Sequence, residues 1–242
     1  MTPSRKTLIA VATYNEIETL PVLVDEIFRY APHADLLVID DNSPDGTGQW
    51  CDERAAADDR LRCLHRPSKL GLGTAAVASM RYAIEHGYQC VVNLDADMSH
   101  HPRHLPELIS GTADDAEVPA DVMIACRYMP GGGIEGWPWY RRWMSRAVNA
   151  YARVLLSLPI RDCSGSYRCY RTDVLARVDW SRVQSRGYSI YEELLWHLKE
   201  AGARFREIPI TFVDREKGKS KISSREALAA LWILFRIGVL TR

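Results

Sequence analysis

The sequence contains no C-x-x-C pair, no unbroken apolar stretch of membrane-spanning length, no internal repeat and no low-complexity tract, and its formal charge has no sign. Each absence excludes something. Six cysteines (Cys51, Cys63, Cys90, Cys126, Cys163 and Cys169) without zinc-type spacing argue against a zinc module or a disulfide framework, and fit a reducing compartment. Cys90 and Cys126 lie inside apolar runs and read as small core hydrophobes. Lys+Arg and Asp+Glu are equal at 31 each, so no global field draws the chain to nucleic acid. Attraction to anions must then come from local clusters. Spanning a bilayer requires about 18 to 20 apolar residues, and no stretch reaches that. The N-terminal residues Met1 to Lys6 lead straight into Thr7-Leu8-Ile9-Ala10-Val11-Ala12, which is too short for a signal peptide and fits a strand. At 242 residues, 47% hydrophobic and 26% charged, the chain suits one compact domain with a substantial core.

What is present is an alternation. Leu8 to Ala12 is a continuous apolar run, the pattern of a strand buried on both faces. Leu20, Leu23, Val24, Ile27 and Phe28 recur at helical spacing. Strands are predicted at 35–40, 61–65, 89–94 and 121–125, with helices starting near Gly46-Thr47 and running from Thr74 to His86. Strand and helix in turn predict an α/β fold, a parallel sheet covered by helices on both faces. Residues 112–119 read as an exposed acidic loop, and Gly131-Gly132-Gly133, with no side chains to pack, as a mobile one.

Sheets of this kind bind ligands where the carboxyl ends of their strands open into loops. Four polar clusters fall there. They are Thr13-Tyr14-Asn15-Glu16, Asp40-Asp41-Asn42-Ser43-Pro44-Asp45-Gly46, Lys69-Leu70-Gly71-Leu72-Gly73 and Asp95-Ala96-Asp97. Asp95 and Asp97, one residue apart at a strand end, can turn hard oxygen donors toward one Mg²⁺ or Mn²⁺, which would complete its shell with water and phosphate. A bare D-x-D is common in surface turns; its position after a buried strand distinguishes it. His100-His101-Pro102 fits a loop entering a helix better than a transition-metal site. Asp41 is placed to accept hydrogen bonds from a base or ribose, Asp40 to support it, and Asp45 to close a turn. The Lys69 to Gly73 run lacks the Walker A and G-x-G-x-x-G patterns, so a tight turn before a helix accounts for it as well as a phosphate loop does. Arg127, Arg141, Arg142, Arg146, Arg168, Arg215, Lys217, Lys219 and Lys221 supply cations in the second half, the last four on a Gly- and Ser-containing segment able to close over a diphosphate.

In order along residues 7 to 235, several motifs carry a resemblance. They are Ala12-Thr13-Tyr14-Asn15-Glu16, Asp40 through Thr47, Leu70 through Ala75, Asp95-Ala96-Asp97-Met98-Ser99-His100-His101-Pro102, Arg127-Tyr128, Asp162-Cys163-Ser164-Gly165-Ser166-Tyr167-Arg168, and Phe212-Val213-Asp214-Arg215 through Ser220-Lys221. The chain resembles the family 2 glycosyltransferases of GT-A fold, in particular the polyprenyl-phosphate (dolichyl-phosphate) mannosyltransferases. The resemblance implies a Rossmann-like, mostly parallel sheet in one catalytic domain over 1–225, followed by an apolar amphipathic helix over 226–242. It implies a GDP-mannose donor, a polyprenyl monophosphate acceptor and inversion at the sugar carbon. By position, Tyr14, Glu16 and Asp41 would contact the nucleotide, with the Ala96 backbone nearby. Asp95 and Asp97 would hold metal and diphosphate, and Arg215 and Lys221 the diphosphate. Arg127, Arg141 and Ser145 would meet the acceptor phosphate or the transferred sugar. Ala12 stands where proline is common, and Ser99 where some relatives place a metal-binding glutamine, so two carboxylates are expected on the ion.

A phosphate monoester is largely a dianion at neutral pH, so attack on the anomeric carbon requires positioning and charge stabilisation rather than a dedicated base. A polyprenyl acceptor requires a membrane surface. Residues 226–242, interrupted by Arg236, are too short to span but suited either to the interface or to packing on the core, which predicts a peripheral protein on the cytoplasmic face, with a membrane-anchored partner subunit as one way to hold it there. Two other readings compete: a UDP-sugar-dependent transferase acting on a lipid phosphate or glycan, and a non-catalytic nucleotide-sugar-binding subunit.

Overall fold

The computed structural model of the chain describes residues 6–214 and 231–240. In chain order it contains β1 (Thr7–Thr13), α1 (Leu20–Tyr30), β2 (Asp35–Asp40), α2 (Thr47–Ala57), β3 (Leu61–His65), α3 (Leu72–Glu85), β4 (Cys90–Asp95), α4 (Leu105–Ser110) and β5 (Val122–Cys126). Then follow β6 (Gly133–Glu135), α5 (Trp139–Leu156), β7 (Arg168–Arg171), α6 (Thr172–Leu175), α7 (Ile190–Glu200), β8 (Phe205–Pro209) and β9 (Thr211–Val213). Seven strands form one sheet in the order β3-β2-β1-β4-β7-β5-β8, and β6 pairs with β9 separately. β1 runs parallel to both β2 and β4, while β7 lies antiparallel between β4 and β5. The mostly parallel sheet and its flanking helices make a GT-A-like fold.

The strand pleat divides the core. Along β1, Leu8 and Ala10 face one way, into a cluster shared with α3, α5 and α7. Ile9 and Val11 face the other way, into a cluster shared with α1 and α4. All five apolar positions expected on the first helix are buried in α1. From β1 the chain winds outward through β2 and β3 and then returns to place β4 on the other side of β1. That reversal opens a crevice beyond the carboxyl ends of β1 and β4.

The antiparallel β7, the β6–β9 pair and the long α5 were not read from the sequence. The glycine run is also unlike its expected mobile loop. Gly133 starts β6, and a Cβ on Gly132 would stand 2.7 Å from the Cys126 carbonyl oxygen, so the backbone there is packed.

Residues 231–235 are helical and continue into a π-helical segment, Arg236–Leu240. Leu234 and Ile237 are buried in the cluster that holds Ala152 and Leu156 of α5, and the Tyr151 hydroxyl donates to the Leu231 carbonyl at 3.3 Å. Trp232, Phe235 and Val239 point to solvent. One face of this segment packs on the domain and the other is presented.

Candidate active site

The loops after β1, β2 and β4 and the turn into α3 converge on one cavity of about 640 Å³. Its lining includes Tyr14, Glu16, Asp41, Asp95, Ala96 and Asp97, together with Lys69 to Leu72. Side chains expected to be structural bind these loops together. Asp40 Oδ1 accepts the Thr13 hydroxyl at 2.9 Å and the Ser43 hydroxyl at 2.5 Å. Asp45 accepts the Ile17 amide at 3.1 Å and, through its other oxygen, the Thr47 amide at 3.0 Å. Three of the four non-glycine residues with left-handed backbone among the described residues, Asn15, Asn42 and Met98, sit in these loops. Such backbone strain is retained where surrounding hydrogen bonds impose it.

Asp41 is an anchor. Its Oδ2 accepts the Gly71 amide at 3.0 Å, and its Oδ1 pairs with Arg66, which donates to Thr74 Oγ1 at 2.6 Å and to the Gly71 carbonyl at 3.1 Å. Gly71, at φ +93°, caps α3, which starts at Leu72 rather than Thr74. A Cβ on Gly73 would lie 2.6 Å from the backbone of Arg186, so only glycine lets residues 184–189 approach. Gln184, Arg186, Tyr188 and Ser189 line the cavity from that side, and Ile233 from the C-terminal segment. The Lys69 ammonium lies 4.1 Å above the Tyr14 ring.

At the end of β4, Asp95 Oδ1 accepts the Ser166 hydroxyl at 2.8 Å, and its Oδ2 lies 3.6 Å from His100 Nδ1. Asp97 Oδ1 accepts the Ser99 amide at 3.1 Å and its hydroxyl at 2.5 Å. Ser99 thus orients a carboxylate instead of extending the donor set. Two oriented carboxylates on one cavity wall are a donor set that could hold a hard divalent cation. His100 is wholly enclosed, and burial lowers its pKa, so the imidazole beside Asp95 is neutral. His101 caps the short helix Pro102–His104, its Nδ1 accepting the Arg103 amide at 3.1 Å.

The structure gathers Arg127, Arg141 and Ser145 into a second group, off the lining of that cavity. His100 packs on Phe212, Phe212 on Trp137, and the Arg141 guanidinium lies 4.0 Å above the Trp137 ring. Arg141 also pairs with Asp214 at 3.0 Å, and Ser145 shares a 2.6 Å hydrogen bond with Tyr128. Arg127 is only 7% exposed and grips Asp162, with Nε to Oδ2 at 2.7 Å and an Nη2 contact to Oδ1 at 2.8 Å. Burial alone would raise the Asp162 pKa; the Arg127 charge and its hydrogen bonds overcome this and hold the carboxyl below its ordinary value. Asn149 Oδ1 accepts the Cys163 amide at 2.7 Å and the Ser164 amide at 3.2 Å, fixing the loop from which Ser166 reaches Asp95. Arg215, Lys217, Lys219 and Lys221 lie outside the described residues.

Arg66, Asn149 and residues 184–189 were missed by sequence reasoning, because no spacing links them to the segments they touch. Asp162 and Ser166 stood inside a recognised motif, but without roles.

Aspartates at the end of a central parallel strand, beside a crevice at the sheet's reversal point, lie where open α/β sheets bind their ligands. The chain belongs to glycosyl transferase family 2, whose pattern it matches over residues 8–179. It is 41% identical over 238 residues to polyprenol monophosphomannose synthase of Mycolicibacterium smegmatis, covering 98% of this chain and 88% of that protein. It is likewise 41% identical to undecaprenyl-phosphate mannosyltransferase of Micrococcus luteus, covering 94% of this chain and 96% of the relative. Among solved structures, glucosyl-3-phosphoglycerate synthase from Mycobacterium tuberculosis, in complex with Mn²⁺, UDP and glucosyl-3-phosphoglycerate, superposes with a TM-score of 0.65 at 18% identity, over 98% of this chain and 80% of that one. The same enzyme with phosphoglyceric acid gives 0.67 at 18% identity, over 96% and 80%. That likeness establishes the fold.

Proposed function

We propose that this glycosyltransferase moves mannose from GDP-mannose to a polyprenyl monophosphate, with inversion at the anomeric carbon. The observation that supports it best is the convergence of Tyr14, Glu16, Asp41, Asp95 and Asp97 on one cavity, in a chain 41% identical to two enzymes named for mannose transfer to polyprenyl phosphates. In this reading the guanosine and ribose lie along Tyr14, Glu16 and Asp41, with the Ala96 backbone beside them, and the diphosphate faces Asp95 and Asp97. Arg215 and Lys221 serve the same diphosphate.

Asp95 and Asp97 would hold Mg²⁺ or Mn²⁺, which when bound offsets the negative charge of the departing diphosphate. The oxygen-only pair, oriented by Ser166 and Ser99, fits such an ion. An acceptor phosphate oxygen forms a bond to C1 of mannose as the bond from C1 to the GDP phosphate oxygen breaks. The acceptor is already a dianion, so no proton need move. Arg141 and Ser145 offer it a cation and a hydroxyl. Arg127, committed to Asp162, serves by holding the loop that carries Ser166.

Access to a lipid acceptor calls for a membrane-facing surface. α5 presents Trp139 (80% exposed), Trp143 (66%) and Val154 (81%), with Tyr140 and Met144 between them and Arg142, Arg146 and Arg153 on the same helix. The exposed Trp232 and Phe235 belong to the segment packed on α5. Aromatic and arginine side chains together suit the headgroup region, and no helix among the described residues is long and apolar enough to cross a membrane. A peripheral position on the cytoplasmic leaflet follows from this reading, and a membrane-anchored partner subunit is compatible with it.

A turnover assay with a polyprenyl phosphate and a panel of labelled nucleotide sugars is the test. Mannosyl transfer from GDP-mannose that a chelator abolishes is the expected result. Transfer only from a UDP-sugar would replace the donor assignment, and nucleotide-sugar binding without transfer would identify a non-catalytic subunit.

A further inference from the structure

At the sheet edge formed by β3, off the lining of the cavity, three metal-ligating side chains from two short segments come together. Cys63 and His65 lie two residues apart on β3 and so share a face of that strand. Asp52 lies on the exposed side of α2, which packs on β3. Cys63 Sγ is 3.9 Å from His65 Nδ1, and His65 Nε2 is 2.8 Å from Asp52 Oδ1. One ligand atom each from Asp52, Cys63 and His65 falls within 4.8 Å of the other two, the only such group of three or more among the described residues.

We propose that Asp52, Cys63 and His65 form a binding site for a thiophilic divalent cation of the Zn²⁺ type, with water completing its shell. The donor set is one such ions take: imidazole, carboxylate and sulfur, with a fourth position left to water. The spacing fits as well. Zn–N of about 2.0 Å and Zn–S of about 2.3 Å at a tetrahedral angle place the two donor atoms roughly 3.5 Å apart, against 3.9 Å between His65 Nδ1 and Cys63 Sγ; Asp52, which meets the other ring nitrogen and is 62% exposed, would turn to complete the set. Hard ions prefer the oxygen pair at Asp95 and Asp97; a sulfur-containing site selects differently. The ion would cross-link α2 to the edge strand β3, next to the β2 loop that carries Asp40 and Asp41.

Cobalt substitution tests this independently of sugar transfer. The reduced full-length protein is titrated with Co²⁺. One equivalent should produce a near-ultraviolet thiolate-to-cobalt charge-transfer band and the visible bands of a four-coordinate ion, both displaced by Zn²⁺. An all-oxygen site cannot give the first band, so Asp97→Asn should retain it. Cys63→Ser should abolish it. Asp52→Ala, at a side chain 62% exposed where truncation leaves the fold intact, should weaken Zn²⁺ by about tenfold or more, as should His65→Ala. A wild-type titration without the charge-transfer band overturns the proposal, and so does a band that survives in Cys63→Ser.

Discussion

The guanidinium of Arg127 and the carboxylate of Asp162 meet fork to fork in the interior, and the same carboxylate also accepts the Arg127 backbone amide at 3.0 Å. Removing one partner of such a pair strands a buried charge, at a cost of about 3 to 5 kcal/mol. Asp162→Ala should lower the free energy of unfolding by that order in urea titrations. It should also depress transfer, because Ser166 rides on the same loop. An unaltered unfolding midpoint would show that the pair contributes nothing to stability.

Asp97→Ala should reduce transfer by roughly a hundredfold or more at saturating metal, while the far-ultraviolet circular dichroism stays that of the native chain. The side chain's hydrogen bonds from the Ser99 amide and hydroxyl lie within its own turn, at the rim of the cavity and outside the core. Undiminished turnover would remove Asp97 from the site.

Gly73 is a steric hinge for the cavity. In Gly73→Ala the new methyl would meet the Arg186 and Gly187 carbonyl oxygens at 2.6 Å, and backbone cannot yield as a side-chain tip does. The 184–189 segment must move outward, and GDP affinity measured by calorimetry should drop by about tenfold or more. GDP binding equal to wild type would show that this segment has no part in nucleotide recognition.

Glu192 on α7 is wholly buried, its Oε2 has no hydrogen-bond partner, and burial pushes its pKa up to about 7. A folded pKa above the unfolded one means that the native state holds the extra proton. The contribution to stability is therefore complete below the unfolded value and is lost as pH rises through about 7. Glu192→Gln should thus gain on wild type by roughly 1 kcal/mol as pH is raised from about 6 to about 8. Parallel stability curves for the two proteins over that interval would contradict the assignment.

Replacing Trp139 and Trp143 together by serine should release the protein from anionic vesicles in flotation assays while GDP binding stays intact, since both rings are exposed and neither lines the cavity. Vesicle binding equal to wild type by the double variant would exclude the α5 face. Loss on deleting residues 226–242 alone would instead assign the contact to the terminal segment.

Much of this architecture was legible in local pattern. Runs such as Leu8 to Ala12 and Leu36 to Ile39 can only be strands covered on both faces, and the polar clusters had to fall at their carboxyl ends. The Asp95-Ala96-Asp97 turn and the Asp40 to Thr47 loop therefore stood out before any coordinates. α5 did not, although it keeps a clear helical period, because its arginines were read as separate cations and not as one side of a helix. β7 was hidden because a four-residue strand reversed against its neighbours leaves almost no periodic signal.

The sequence by itself determined the alternation of strands and helices from β1 to β5, the edge of the sheet where the polar loops gather, and the place of the two aspartates at the end of β4, since each follows from hydrophobic periodicity and from short-range turn chemistry. Only the tertiary structure decided which partners these residues have. It turned Asp41 toward Arg66 and Gly71, committed Arg127 to Asp162, brought Ser166 onto Asp95, and set Cys63 and His65 against Asp52. Those contacts join segments far apart in the chain, and the register and packing of the folded sheet alone fix their distances.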